Sequence, residues 1–85
     1  MSISKTDLNE RIRHEKRLAA LEVQTEAWTD GISEGIDAEI MALAGMETIL
    51  TNLMAECGPE AANALLDSVR AKFDLGVFHS IKFRN

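Results

Sequence analysis

The sequence has 85 residues, a formal net charge of −5, 46% hydrophobic and 27% charged side chains, and one cysteine. These values are ordinary for one folded domain, so they argue against a disordered chain, and the single Cys57 excludes an internal disulfide. A chain of this length buries only about 60–65% of its unfolded surface, so three helices alone would be marginally stable and self-association is expected.

Two further absences concern location. The N-terminal segment has no apolar signal-peptide region, and no continuous apolar run approaches about 18 residues. With a single thiol as well, the sequence predicts a cytoplasmic protein that does not bind a membrane.

Charge is distributed unevenly along the chain. Residues 1–17 have a net charge of +2, residues 18–69 a net charge of −10, and residues 70–85 a net charge of +3. The central block contains no Lys or Arg. It can be neutralised by the basic ends of the same chain or of a second chain, and otherwise it is available to a basic partner.

The first helix is predicted over about residues 6–28. Ser4 begins a capping box with Asp7, and Thr6 is an alternative N-cap. The apolar side chains form two stripes, which predicts contacts with two neighbours, for example the second helix and a second protomer. One stripe is Leu8, Ile12, Ala19, Val23 and Ala27, and the other is Leu18, Leu21, Trp28 and the ring of His14.

A break is predicted at residues 29–35. Asp30-Gly31 is a turn signal, and Asp30 or Ser33 could cap the next helix. Helical spacing nevertheless continues through this segment, and glycine costs only about 1 kcal/mol inside a helix. One kinked helix of nearly fifty residues is therefore the alternative, and whether Gly31 breaks the helix stays open.

The second helix is predicted over about residues 32–57, with an apolar face that includes Cys57 as a buried thiol. Glu39 and Glu47 fall inside this face. Each could form a salt bridge to a cation of the first helix or lie at the edge of the face with its carboxylate in water. As polar residues in an apolar contact, they could also fix the register between two chains. Acid/base chemistry is the less favoured interpretation. The apolar face is Ile32, Ile36, Ile40, Leu43, Met46, Leu50, Leu53, Met54 and Cys57.

A further stripe on this helix consists of four small residues, which are Gly35, Ala38, Ala42 and Gly45. They permit a tight oligomer contact or an ordinary close crossing by the first helix. Together with part of the second stripe of helix one, they make up the predicted oligomer interface, which is Leu18, Leu21, Trp28, Gly35, Ala38, Ala42 and Gly45.

Gly58-Pro59 predicts a helix end followed by a helix start, and the third helix is expected over residues 59–74. Its buried face contains Ala62, Leu65, Leu66, Val69 and Phe73. The tail at residues 76–85 alternates like a strand, although the chain has no other strand to pair with it. Its predicted anchors are Phe78, Ile81 and Phe83, which close over the protein's own helices or contact a partner.

The sequence favours neither an enzyme nor a metal or cofactor site. The two histidines lie in different segments, and no phosphate loop or nucleophile–base spacing is present. The basic run of the first helix could contact phosphates, but direct nucleic-acid binding is disfavoured because acidic residues lie among the cations and the whole chain is acidic. The basic patch is Arg11, Arg13, Lys16 and Arg17.

These observations predict an all-α single domain, favouring a homodimer, that acts by protein–protein interaction as a regulator, inhibitor or assembly component. One alternative is an acidic inhibitor of the phage or mobile-element type, which occludes a basic nucleic-acid-binding groove. A second is a small-ligand binder with a pocket between protomers, lined by His14, Trp28 and the cations of the first helix. The acidic partner-binding face is predicted at Glu34, Asp37, Glu56 and Glu60.

Overall fold

The structure, a computed structural model, describes residues 4–79. It contains three α-helices and a short 3₁₀ turn, which confirms the predicted all-α fold. The described residues fall into two compact units, divided between Ala42 and Leu43. The helices are α1 (Lys5–Ser33), α2 (Ala38–Cys57) and α3 (Pro59–Asp74), followed by the 3₁₀ turn Val77–His79.

α1 begins at the predicted capping signal. The Ser4 hydroxyl accepts a hydrogen bond from the Asp7 amide at 3.1 Å, so one free N–H of the first turn is satisfied. The Asp7 carboxylate also lies in the first turn, where the helix dipole favours negative charge. Ser4 is therefore confirmed as the N-cap, by one of the two bonds of a capping box, whereas the alternative cap Thr6 lies inside the helix.

The break between the first two helices lies at the C-terminal end of the predicted segment 29–35 and extends two residues beyond it, to Asp37. Gly31 is helical and α1 continues to Ser33, five residues past the expected end. The chain turns at Gly35, whose φ of +91° favours glycine, and the Asp37 carbonyl accepts the first hydrogen bond of α2 from the Met41 amide. The alternative prediction of one uninterrupted helix is therefore wrong. A break at Gly31 and an N-cap of α2 at Asp30 or Ser33 are wrong as well, because all three residues lie inside α1.

Gly31 has a packing role within this first unit. It is buried, and a Cβ built on it would overlap the Met41 sulfur and lie 2.6 Å from the Met41 methyl group. Glycine thus allows the first turn of α2 to place a methionine directly on α1. Neither a turn nor a helix interior at Gly31 predicts this contact, because no local pattern shows which side chain of α2 approaches α1.

The junction between α2 and α3 matches the prediction. Gly58 has a φ of +90° and a ψ of 169°, Pro59 occupies the first turn of α3, and the Met54 carbonyl accepts a bond from the Gly58 amide. α3 ends at Asp74, as predicted, and is followed by Gly76 with a φ of +78°. Local turn chemistry therefore sets both ends of α3.

The apolar faces are less buried than the sequence predicts. Among residues 4–79, Ala62 is the one buried hydrophobic residue, at 6% exposure, while Leu50 and Leu53 are half-buried. Most other residues of the predicted α2 face are exposed. Cys57 is exposed as well, so the prediction of a buried thiol is wrong.

The beginning of the tail is not extended. Val77–His79 forms a 3₁₀ turn that contacts α3, instead of the strand predicted from alternation. Phe78 is 54% exposed. The other two predicted anchors, Ile81 and Phe83, lie outside the described residues.

Candidate protein-interaction site

An exposed apolar stripe of the first unit runs along α1. Leu18 and Leu21 are 50% and 46% exposed, and Trp28 is 42% exposed. The other stripe is exposed too, as Leu8, Ile12 and Val23 show. Isolated exposed apolar residues are common on proteins, but helix-long stripes mark contact surfaces. The side chains predicted for an oligomer interface on α1 are thus available to a partner.

The small-residue stripe is only partly retained. Ala38, Ala42 and Gly45 lie on α2, whereas Gly35 lies in the preceding turn and cannot share a helix face with them. A Cβ built on Gly45 would meet no side chain within 4 Å. The surface at Gly45 therefore remains open to close approach by another helix.

Glu39 and Glu47 lie on either side of Leu43 along α2, as the sequence predicts, and both are exposed. Within residues 4–79 the ion pair of the structure is Arg70 with Asp74, on α3. The structure therefore supplies no buried pair of carboxylates for acid/base chemistry in the described chain. Polar side chains elsewhere on α2 bond locally, with Thr48 donating to the Ala44 carbonyl and Asn52 donating to the Thr48 carbonyl.

The four cations of the basic run do not form one face. All are exposed on α1, but successive residues of a helix are about 100° apart, so Arg11 and Arg13 point about 200° away from each other. Lys16 and Arg17 lie nearer to Arg13. A phosphate backbone following one side of α1 would meet only part of the set.

The four acidic residues proposed for partner binding are exposed and occur as two pairs. Glu34 and Asp37 flank the turn at Gly35, and Glu56 and Glu60 flank the turn at Gly58. Each pair therefore combines two carboxylates with a glycine turn. The two pairs belong to different compact units.

Sequence reasoning missed a groove in the second unit. This open concavity of about 560 Å³ has apolar walls and two charged side chains, Asp67 and Arg70. The Arg70 guanidinium lies 5.6 Å from the centre of the Phe73 ring, over its face, and also approaches Asp74 at 3.6 Å. The α3 face predicted from helical spacing contains part of its lining, which is Met46, Leu66, Asp67, Val69, Arg70, Phe73 and Phe78.

Other kinds of site receive little support. Among the described residues no three His, Cys, Asp or Glu side chains are grouped to hold a metal ion. His14 and Trp28, suggested for a ligand pocket between protomers, are fourteen residues and about 21 Å apart along α1, so a small pocket lined by both would take each from a different copy of the chain.

Among the described residues, one helix, α2, is long and apolar enough to cross a membrane by length and composition alone, and its side chains are not buried. The same test is passed by core helices of other proteins. Glu47 lies near the middle of α2, where a charged side chain costs about 3 kcal/mol on membrane-insertion scales. The sequence between Leu18 and Val69 contains no Lys or Arg, so neither end of α2 has a nearby cation of the kind that anchors membrane-spanning helices.

No protein-family model, curated protein or solved structure matches this chain.

Proposed function

We propose that this chain is a non-enzymatic protein that acts by binding other protein chains and that its first partner is a second copy of itself. One observation carries the proposal. In residues 4–79, eighteen large hydrophobic side chains are exposed, whereas Ala62 alone is buried among the hydrophobic residues. Burial of one such side chain contributes about 1.5–3 kcal/mol, so a contact that covers several of them would stabilise a domain whose own core is small.

Self-association also suits the distribution of charge. The chain has basic ends and a central block of residues 18–69 with a net charge of −10. A second copy brings the same two surfaces, so a two-fold arrangement can place basic ends against acidic middles twice. One of the two acidic pairs, Glu34 with Asp37 or Glu56 with Glu60, then remains exposed to a different protein. The proposed role is therefore that of a regulator, an inhibitor or an assembly component.

The solution mass tests this proposal. Light scattering at low and high salt is expected to give at least twice the 9.4 kDa mass of the chain in both conditions, since the contact is mainly apolar and apolar contacts are not screened by salt. A monomer at both salt concentrations, at protein concentrations of tens of micromolar, would contradict self-association.

A second candidate is an acidic inhibitor that covers a basic nucleic-acid-binding groove. It is favoured by the fifty-two residues from Leu18 to Val69, which contain ten Asp or Glu and no Lys or Arg. The exposed pairs at the two glycine turns supply negative charge without a basic neighbour in sequence. This role predicts binding that is dominated by charge and that weakens with salt.

A competition assay tests the inhibitor role. The chain is expected to displace fluorescent duplex DNA from at least one member of a panel of basic DNA-binding proteins at about 50 mM salt, and to lose most of this effect at about 300 mM. The doubly neutralised variant Glu56→Gln/Glu60→Gln should displace less DNA than the unmodified chain. Absence of displacement from every panel member, or displacement that is insensitive to salt, would rule against this role.

A further inference from the structure

α1 has the length and the exposure needed to pair with a copy of itself. Its 29 residues span about 43 Å at about 1.5 Å per residue, and the whole length from Lys5 to Asp30 is exposed. Along one side the spacings are three, four and seven, which is the pattern of helices that pack side by side. The stripe on this side is His14, Leu18, Leu21, Trp28 and Ile32.

The two halves of α1 carry opposite charge. Residues 5–17 contain five Lys or Arg and three Asp or Glu, a net charge of +2, whereas residues 18–33 contain three acidic residues and no cation, a net charge of −3. Two parallel copies would place like charges beside each other along both halves. Two antiparallel copies would place each basic half beside an acidic half, which lowers the electrostatic energy of the pair.

From these two observations we propose that α1 pairs antiparallel with α1 of a second copy, around a two-fold axis near the middle of the helix. Leu18, Leu21 and Trp28 lie between the two helices. The inference rests on the proposed self-association and adds the contact surface and its orientation. A two-fold axis makes each contact occur twice, so moderate individual contacts give a stable pair.

Spin labels on the full chain distinguish the orientations. Thr6 and Gln24 are both exposed on α1 and lie eighteen residues, or five turns, apart on one side of the helix, away from the middle of the proposed contact. Each is changed to cysteine separately, in a chain with Cys57→Ser. Double electron–electron resonance then measures the distance between the two identical labels of a pair, and light scattering gives the mass of the same sample.

An antiparallel pair centred near Ala19 separates the labels along the helix axis by about 39 Å at Thr6 and about 15 Å at Gln24, at about 1.5 Å per residue. The expected result is therefore a clearly longer distance at Thr6. Equal short distances would mean parallel pairing, and long distances at both sites would mean that α1 does not pair with itself; either would overturn the orientation while self-association stands. A monomeric mass would overturn both proposals.

Discussion

Replacing Leu21 with glutamate is expected to dissociate the oligomer. Leu21 is 46% exposed in the single chain and lies in the middle of the proposed contact. Full burial of a leucine contributes about 1.5–3 kcal/mol, and a two-fold pair buries two copies. Placing two carboxylates there removes this contribution and adds a desolvation cost, so the self-dissociation constant should rise about a hundredfold or more, which is about 2.7 kcal/mol.

Sedimentation equilibrium over a concentration series measures this constant, and circular dichroism reports how much helix is retained. The matched control is Ala20→Glu, which adds the same charge one residue away and about 100° around α1. The control should keep an association constant within a few-fold of the unmodified chain. If Leu21→Glu associates as well as Ala20→Glu, the second stripe of α1 is not the contact surface.

The second large effect is expected from Gly58→Ala. The φ of +90° and ψ of 169° at Gly58 lie in a region that is essentially restricted to glycine, and a Cβ there would meet no neighbouring side chain within 4 Å. Any cost is therefore backbone strain and not a steric collision. The free energy of unfolding should fall by about 1–3 kcal/mol, measured by urea denaturation at one fixed protein concentration.

A mirror-image control isolates this strain. D-Alanine has the same side chain as L-alanine but adopts positive φ without penalty, so a chain with D-alanine at position 58 should be at least as stable as the unmodified protein. Cys57 directly precedes the site and permits ligation of a synthetic segment 57–85 to a segment 1–56. Equal loss of stability with both enantiomers would show that the side chain, and not φ, is responsible.

Local structure was largely predictable from the sequence. The cap at Ser4, the end of α2 before Gly58-Pro59 and the end of α3 before Gly76 depend on a few adjacent residues whose backbone preferences are strong. The first break was harder because two glycines compete within residues 29–35. Gly31 serves the packing of Met41, and Gly35 provides the positive φ, which composition alone does not distinguish.

Burial was not predictable in the same way. Helical spacing identifies which side chains share a face, but it does not tell whether that face meets the same chain or another one. Cys57 shows this limit, since its position on the apolar side of α2 predicted a buried thiol and it is exposed. The groove in the second unit depends on Met46 and Phe78 approaching α3, and no sequence spacing reports contacts between elements.

The exposed apolar surface also affects the abundance that the protein reaches in a cell. An isolated chain that exposes eighteen large hydrophobic side chains within residues 4–79 is a good substrate for chaperones and proteases, which act on exposed apolar segments. If assembly covers these side chains, a new chain escapes degradation only when it associates with another copy before it is degraded. Abundance would then follow a threshold, with little protein below a critical rate of synthesis and stable accumulation above it.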